Sequence, residues 1–578
     1  MSRFFALITA AAALAGLALS QSTDSPTKFE MADIHPTANN GGIFRIGAGI
    51  RPNGSNVFNG RYELRNATLV DMIFYAYGTD RGKILGGPQW LEWDQFDLTA
   101  KVPPDALSDT DAQKSMLKAL LAERFHLVVH TGKKDLQAYT LTAGKNPKLK
   151  QSDDSGNPPG CRGQIGGPGA TAMPGGGIRL NRDAGPVFID NTCHNVTMEA
   201  FAKQLTPQVS QNGVISPVED KTGLEGKWDF DYRTTLRLGP LAQSQGTSDN
   251  ITIFDAVEKQ LGLKLTPIQI PQEVLIVDKA EKPTPNAAGV SEALALKIPK
   301  MFEVADVRPV EVSPDGPRRI QITRGGAVNF SAMPLRGLIT SAYEIDNNRL
   351  IVPPEMEKTL QTLYSVIAKP PASAAPATDG PAPAIQLPFG NPDDSDAAWT
   401  MMRELLKERF KLAMHQEDRT LTAWKLVAVK PKMKKADPSE RTKMTNGPGP
   451  DGKDPRTVTP ARQALSTFQN VSMDQFIEKI TQIGSGLTTP VSNATGLDGG
   501  YDFTLNFSYQ FALLGGGPGR GGPEPTGAPS NTAEAAEPTG AISFADALVE
   551  QLGLKLVEDK RPVSVWVIDH VESKPTDN

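Results

Sequence analysis

The chain says nearly everything twice, and that constrains its fold more than any other feature. Leu121-Ala-Glu-Arg-Phe-His-Leu-Val-Val-His130 returns as Leu406-Lys-Glu-Arg-Phe-Lys-Leu-Ala-Met-His415, and Gln260-Leu-Gly-Leu-Lys-Leu265 returns as Gln551-Leu-Gly-Leu-Lys-Leu556. Phe29-Glu-Met-Ala-Asp-Ile and Phe302-Glu-Val-Ala-Asp-Val open the two copies, and Thr222-Gly-Leu-Glu-Gly and Thr495-Gly-Leu-Asp-Gly recur late in each. A repeat of this length is far longer than any solenoid unit, so it predicts tandem domains: residues 21–286 and 301–578, joined by a linker at 287–300.

Residues 1–20 carry Arg3, an uncharged apolar run from Phe4 to Leu19 and Ala18-Leu-Ser20, which together read as a cleavable secretory signal. A periplasmic or secreted protein is expected, with no stable membrane span after cleavage. A net charge of -5 supplies no basic footprint for nucleic acid. The two cysteines, Cys161 and Cys193, both fall in the first copy and are expected to pair in an oxidising compartment.

Low-complexity stretches interrupt the copies at 152–177 and 432–456, at 239–249 and 515–540, and at 370–392 in the second copy alone; these and the linker read as flexible surface segments. Between them the periodicity is legible. Met116, Leu117, Leu120 and Leu121 form one helix face, repeated by Met401, Met402, Leu405 and Leu406. Ala138–Ala143, Ala423–Ala428, Val274–Asp278 and Val565–Asp569 alternate as half-buried strands. Thr68, Thr252, Ser472 and Ser543, each with an acceptor three residues on, mark helix starts.

Within a copy the halves are also parallel. Asn66-Ala-Thr-Leu and Phe96-Asp-Leu match Asn195-Val-Thr-Met and Phe230-Asp-Tyr. The expectation is therefore an α+β protein of two tandem homologous domains, each of two α-β-α-β-β units, with mainly antiparallel sheets and helices packed on them. Short hairpins are expected after Phe125-His-Leu-Val and Leu263-Lys-Leu.

Duplication filters the candidate site residues. His130 and His415 recur at strand ends, where imidazole serves as base, ligand or a hydrogen-bonded strand residue. Glu123-Arg124 and Glu408-Arg409 recur as helix-end ion pairs, carbonyl holders or anion sites. Asp229 and Asp502, and Asp278 and Asp569, also recur. Nothing in the sequence shows that they meet. In the first copy alone, Gly86-Gly-Pro-Gln-Trp-Leu91 places Trp90 and Trp93 near Tyr75 and Tyr77, an aromatic group suited to stacking on glycan or peptide or to packing. The second copy has Val352-Pro-Pro-Glu-Met356 there. His-Glu-x-x-His and Gly-x-Ser-x-Gly are absent, no metal-ligand spacing appears, and no cofactor is expected.

The strings Phe-Glu-x-Ala-Asp, Gly86-Gly-Pro-Gln-Trp-Leu, Phe96-Asp-Leu-Thr-Ala-Lys101, Leu120-Leu-Ala-Glu-Arg-Phe, Thr222-Gly-Leu-Glu-Gly, Gln260-Leu-Gly-Leu-Lys-Leu and Val567-Ile-Asp-His-Val-Glu572 resemble a soil-associated family of exported proteins. That family is expanded in Acidobacteria such as Solibacter and carries a domain of unknown function. The resemblance implies an extracytoplasmic sensing or binding role and supplies no catalytic residues. Trp90, Trp93, Tyr77, Arg124, His130, Arg409 and His415 stand as binding candidates, with an envelope or extracellular protein, peptide or glycan as partner. An extracytoplasmic hydrolase using a carboxylate or histidine is the alternative.

Overall fold

The computed structural model describes residues 28–37, 56–153, 158–172, 178–180, 187–210, 215–236, 251–311, 320–371, 392–447, 455, 462–508 and 540–576, except for isolated positions inside these spans. Residues 1–20, expected from sequence to be a signal, and the stretches 239–249, 372–391 and 515–539 lie outside the described residues.

Each copy is α+β and holds two units joined by a long ribbon. In the first copy one antiparallel sheet runs Met31–Pro36, Gln95–Lys101, Arg61–Thr68, Val57–Phe58, packed against helices Leu69–Tyr77 and Thr110–Arg124. A second runs Lys150–Gln151, Trp228–Thr235, Phe188–Val196, Gly160–Gly166, packed against helix Met198–Val209. The second copy repeats both, with strand orders Val304–Pro309, Leu363–Lys369, Ala327–Pro334, Ile320–Thr323 and Lys434–Lys435, Tyr501–Phe507, Ala464–Val471, Lys443–Asn446. All four expected helix starts are capped by their hydroxyls, each contributing about 1 kcal/mol.

The expected hairpins are replaced by continuous strands. Val128–Ala143 pairs antiparallel with Leu263–Lys279 along its length, and Ala413–Ala428 pairs likewise with Leu554–His570. Pro267 and Pro271 do not interrupt the first ribbon, because there the strand has no neighbour on its outer side that needs an amide donor. One ribbon end, with Leu275 and Val277, belongs to the first unit's core; the other, with Tyr139, Leu141 and Leu263, belongs to the second's. Each long strand therefore leaves one core and enters the other, which interlocks the two units.

The repeated motifs are the joints of this design. Leu127 N–H donates to the Leu121 carbonyl at 3.3 Å across left-handed His126, and Leu412 to Leu406 at 3.3 Å across Lys411, closing each long helix in a Schellman turn. Gln260 pairs both backbone groups of Arg233, at 2.8 and 2.9 Å, and Gln551 pairs both of Asn506, at 2.9 and 2.6 Å. An amide side chain thus stands in for a neighbouring strand. Gly262 and Gly553 follow with φ 66° and 67°, and their carbonyls accept from Gly144 at 2.9 Å and from Val429 and Lys430 at 3.0 Å.

A bulge at the end of one strand in each unit turns the chain into its first helix. Asn66, Asn195 and Asn470 take φ of 51°, 54° and 49° there, and their amides donate to Asp97, Asp229 and Asp502 at 2.8, 2.8 and 2.9 Å. The third unit keeps the turn with Ala332 at φ 53°. The sheet register sets Phe96-Asp97 on Trp228-Asp229, two residues before the Phe230-Asp231 match read from sequence. A slip of two preserves the buried face, so alternation alone cannot detect it.

Cys161 and Cys193 are disulfide-bonded directly opposite each other in adjacent strands. The second copy has Met444 opposite Phe468 at the same place, two apolar side chains of its core in place of the bond. Replacing both cysteines by serine is expected to cost the first copy about 3–4 kcal/mol by loop-closure entropy. Denaturation curves of the double variant and of oxidised, disulfide-bonded wild type check this, and reduced wild type should fall with the variant.

The stretches 152–177 and 432–456 contribute edge strands where they are described. The described part of the linker is also ordered. Residues Val290–Leu294 form a helical turn laid on the first sheet, which corrects the expectation of a flexible connection. The physical reason is specific anchoring: Asn286 bonds both backbone groups of Ile34 at 3.0 Å, Ser291 donates to Asp33 at 2.8 Å, and Leu294 is buried.

Candidate functional site

The Gly-Gly-Pro-Gln-Trp segment forms a short turn, Gln89–Glu92, that projects from the first copy towards the second. Trp93, at its end, inserts into the core of the second copy's second unit and is 7% exposed. Polar contacts surround it. Thr442 N–H donates to the Gln89 carbonyl at 3.0 Å, Gln89 to the Pro438 carbonyl, and Arg441 to the Ile84 carbonyl with Glu92 at 3.5 Å. Arg65 pairs with Asp396 at 2.5 Å elsewhere between the copies. Trp93 is therefore an inter-copy anchor whose ring is covered, which explains why only the first copy needs the segment.

Beside this contact lies an open groove of about 660 Å³. Its first-copy wall includes His35, Pro36, Asp94 and Lys282, and Glu478 and Lys479 stand on the other side. The Lys282 ammonium pairs with Asp94 and sits 4.3 Å from the Trp90 ring centroid, so this face of Trp90 is occupied too. Lys479 sits 5.3 Å from the Trp93 centroid, and burial pushes its amine below the ordinary lysine range. His35 lies between carboxylates, 3.1 Å from Asp33 and 3.8 Å from Asp97.

Tyr77 packs at the edge of the first core, under the Lys118 ammonium at 4.9 Å, and burial raises its phenol. Arg124 is buried and holds the strap after the ribbon, donating to Thr284 Oγ1 at 2.9 Å, Ala32 O at 3.2 Å and Asn286 Oδ1 at 2.7 Å. Arg409 reaches the Thr576 carbonyl at 3.1 Å in the same way. These duplicated arginines share one geometry, the carbonyl-holding one.

The fold also joins residues that sequence kept apart. His130 Nδ1 lies 2.8 Å from Asp278, and His415 Nδ1 lies 2.8 Å from Asp569, each pair across a ribbon end where the register shifts. The Asp569 hydrogen bond holds His415 above the ordinary imidazole range. A group raised on folding stabilises below its unfolded pKa of about 6.5 and loses that contribution as pH rises through the folded value. Asp569→Asn is expected to lower the His415 titration midpoint towards about 6.5, read by NMR of the imidazole. Asp229 and Asp502 do not join these pairs. The Asn195 amide holds the Asp229 carboxyl below its usual range, marking its place in the bulge.

The Gln260 and Gln551 clamps were not singled out from sequence, although their repetition was visible. Among the described residues no cluster of three metal-ligating side chains occurs, and no helix is long and apolar enough to cross a membrane.

No curated protein and no solved structure shows a significant match to this chain. A family model does match, over residues 70–280 and again over 336–571, one match within each of the two ribbon-joined bodies of the fold. The chain accordingly belongs to the family described as protein of unknown function (DUF3738), whose domain it carries as two tandem copies.

Proposed function

We propose that the protein is an extracytoplasmic binding or sensor-like protein whose ligand seats in the groove at the junction of the two copies. The observation that carries this reading is the groove itself, with the desolvated Lys479 amine beside it. Ligand sites favour domain junctions, where concavity comes without hollowing a core. Lys479 makes no ion pair among the described residues, so an incoming acceptor gains a partly desolvated cation. Export is part of the reading, supported by the signal-like residues 1–20 and by the disulfide.

Because the copies touch through Trp93, they present one shared surface to an envelope protein, peptide or glycan. Quantitative capture from envelope extract with wild type and Lys479→Met tests this. One partner, held at least tenfold more weakly by the folded variant, is the expected result; equal capture by both sinks the groove. The hydrolase reading rests on the duplicated His–Asp pairs, and a hydrolytic activity lost in both His130→Ala and His415→Ala would favour it.

A further inference from the structure

We infer that the outer face of the second copy's first sheet is a docking surface for a helical turn of a partner protein that presents a leucine and a hydroxyl, the chemistry of this chain's own Val290–Leu294. The inference comes from comparing two equivalent faces. In the first copy the outer face carries Met31, Asp33 and His35 on one strand, Thr99 and Lys101 on the next, and Arg61, Glu63 and Arg65 on the third. The segment after Asn286 crosses it: Ser291 Oγ donates to Asp33 at 2.8 Å at one side, and Arg61 donates to the Leu294 carbonyl at 2.7 Å at the other. Leu294 is 5% exposed beneath this crossing.

The sheet register places Val304, Asp306 and Arg308 of the second copy on Met31, Asp33 and His35, and Ile367 on Thr99. Here Val304 is 62% and Ile367 46% exposed, with Met301 alongside in the chain at 56%. Large apolar side chains grouped on one sheet face mark a contact surface. Ala327, Asn329 and Ser331 stand where Arg61, Glu63 and Arg65 stand in the first copy. The third strand has therefore exchanged Arg61, Glu63 and Arg65 for small neutral groups, which lowers the desolvation cost of covering this side of the face with an apolar segment, while Lys369 keeps the place of Lys101. Asp306 keeps the carboxylate that accepts the serine hydroxyl in the first copy, with Arg308 at 2.8 Å in the place of His35.

The probe is a labelled synthetic peptide of residues 284–296, titrated into the full mature chain by fluorescence anisotropy. Saturable binding is expected, weakened at least tenfold by Ile367→Asp in the protein or Leu294→Asp in the peptide, and several-fold by Ser291→Ala in the peptide. Ile367 is exposed, so the variant should fold, and circular dichroism checks this. Absence of peptide binding overturns the inference, as does binding that Ile367→Asp leaves unchanged. A concentration-dependent dimer of the protein abolished by Ile367→Asp also overturns it, by assigning the face to a second copy of the chain.

Discussion

Gly553→Ala is expected to destabilise the second copy by about 3–4 kcal/mol. The backbone there is left-handed, at φ 67°, which costs a β-carbon about 1–2 kcal/mol. The new methyl would also fall inside the van der Waals radius of the Lys430 carbonyl oxygen. That carbonyl cannot retreat freely, because Val429 and Lys430 N–H donate to the Gly553 carbonyl at 3.0 Å and Lys432 N–H donates to Leu552 at 3.0 Å. Strain therefore moves the turn that closes the fourth core. Gly496→Ala is the matched control: its φ is 65° but nothing lies within 4 Å, so only the conformational cost of about 1–2 kcal/mol remains. Denaturant unfolding followed by the fluorescence of Trp399, Trp424 and Trp566 separates the two. Equal losses would show that the Lys430 contact is not a constraint.

Trp93→Ala is expected to separate the copies while leaving each folded. Removing a buried tryptophan costs about 3–5 kcal/mol, and here most of that loss falls on the contact between copies, because the ring lies in the other copy's core. The other links described above, Thr442 and Pro438 to Gln89, Arg441 to Ile84 and Glu92, and Arg65 to Asp396, are polar and hydrate readily once the ring is gone. Small-angle scattering should show a larger radius of gyration, and proteolysis should accelerate near residues 296–300. An unchanged scattering curve would mean that Trp93 does not hold the copies together. The same variant also dismantles the groove, so it should reduce partner capture as Lys479→Met does.

The sequence made the local chemistry legible. Hydroxyl caps, helix faces and strand alternation depend on neighbours a few residues apart, and all four caps and both repeated helix faces stand as read. Duplication was legible because repeated strings are compared without knowing where they fold. The candidate site was less so. Trp90, Trp93 and Tyr77 read as one aromatic group, yet Trp93 enters the second copy while Tyr77 stays on the first core. His130 and Asp278 lie 148 positions apart, and only the ribbon's register makes them partners.

What the sequence by itself determined is the α+β character, the tandem copies, the two-unit pattern within each and the pairing of the only two cysteines. All follow from composition, period and repetition. Tertiary structure alone decided that the expected hairpins are single long strands, that Val290–Leu294 of the linker lies on a sheet, and that one tryptophan joins the copies. Each of these depends on which distant surface a segment meets. A short apolar or proline-bearing stretch has the same local preferences on a free edge, across a sheet face or in another domain's core, and burial against a particular partner chooses among them.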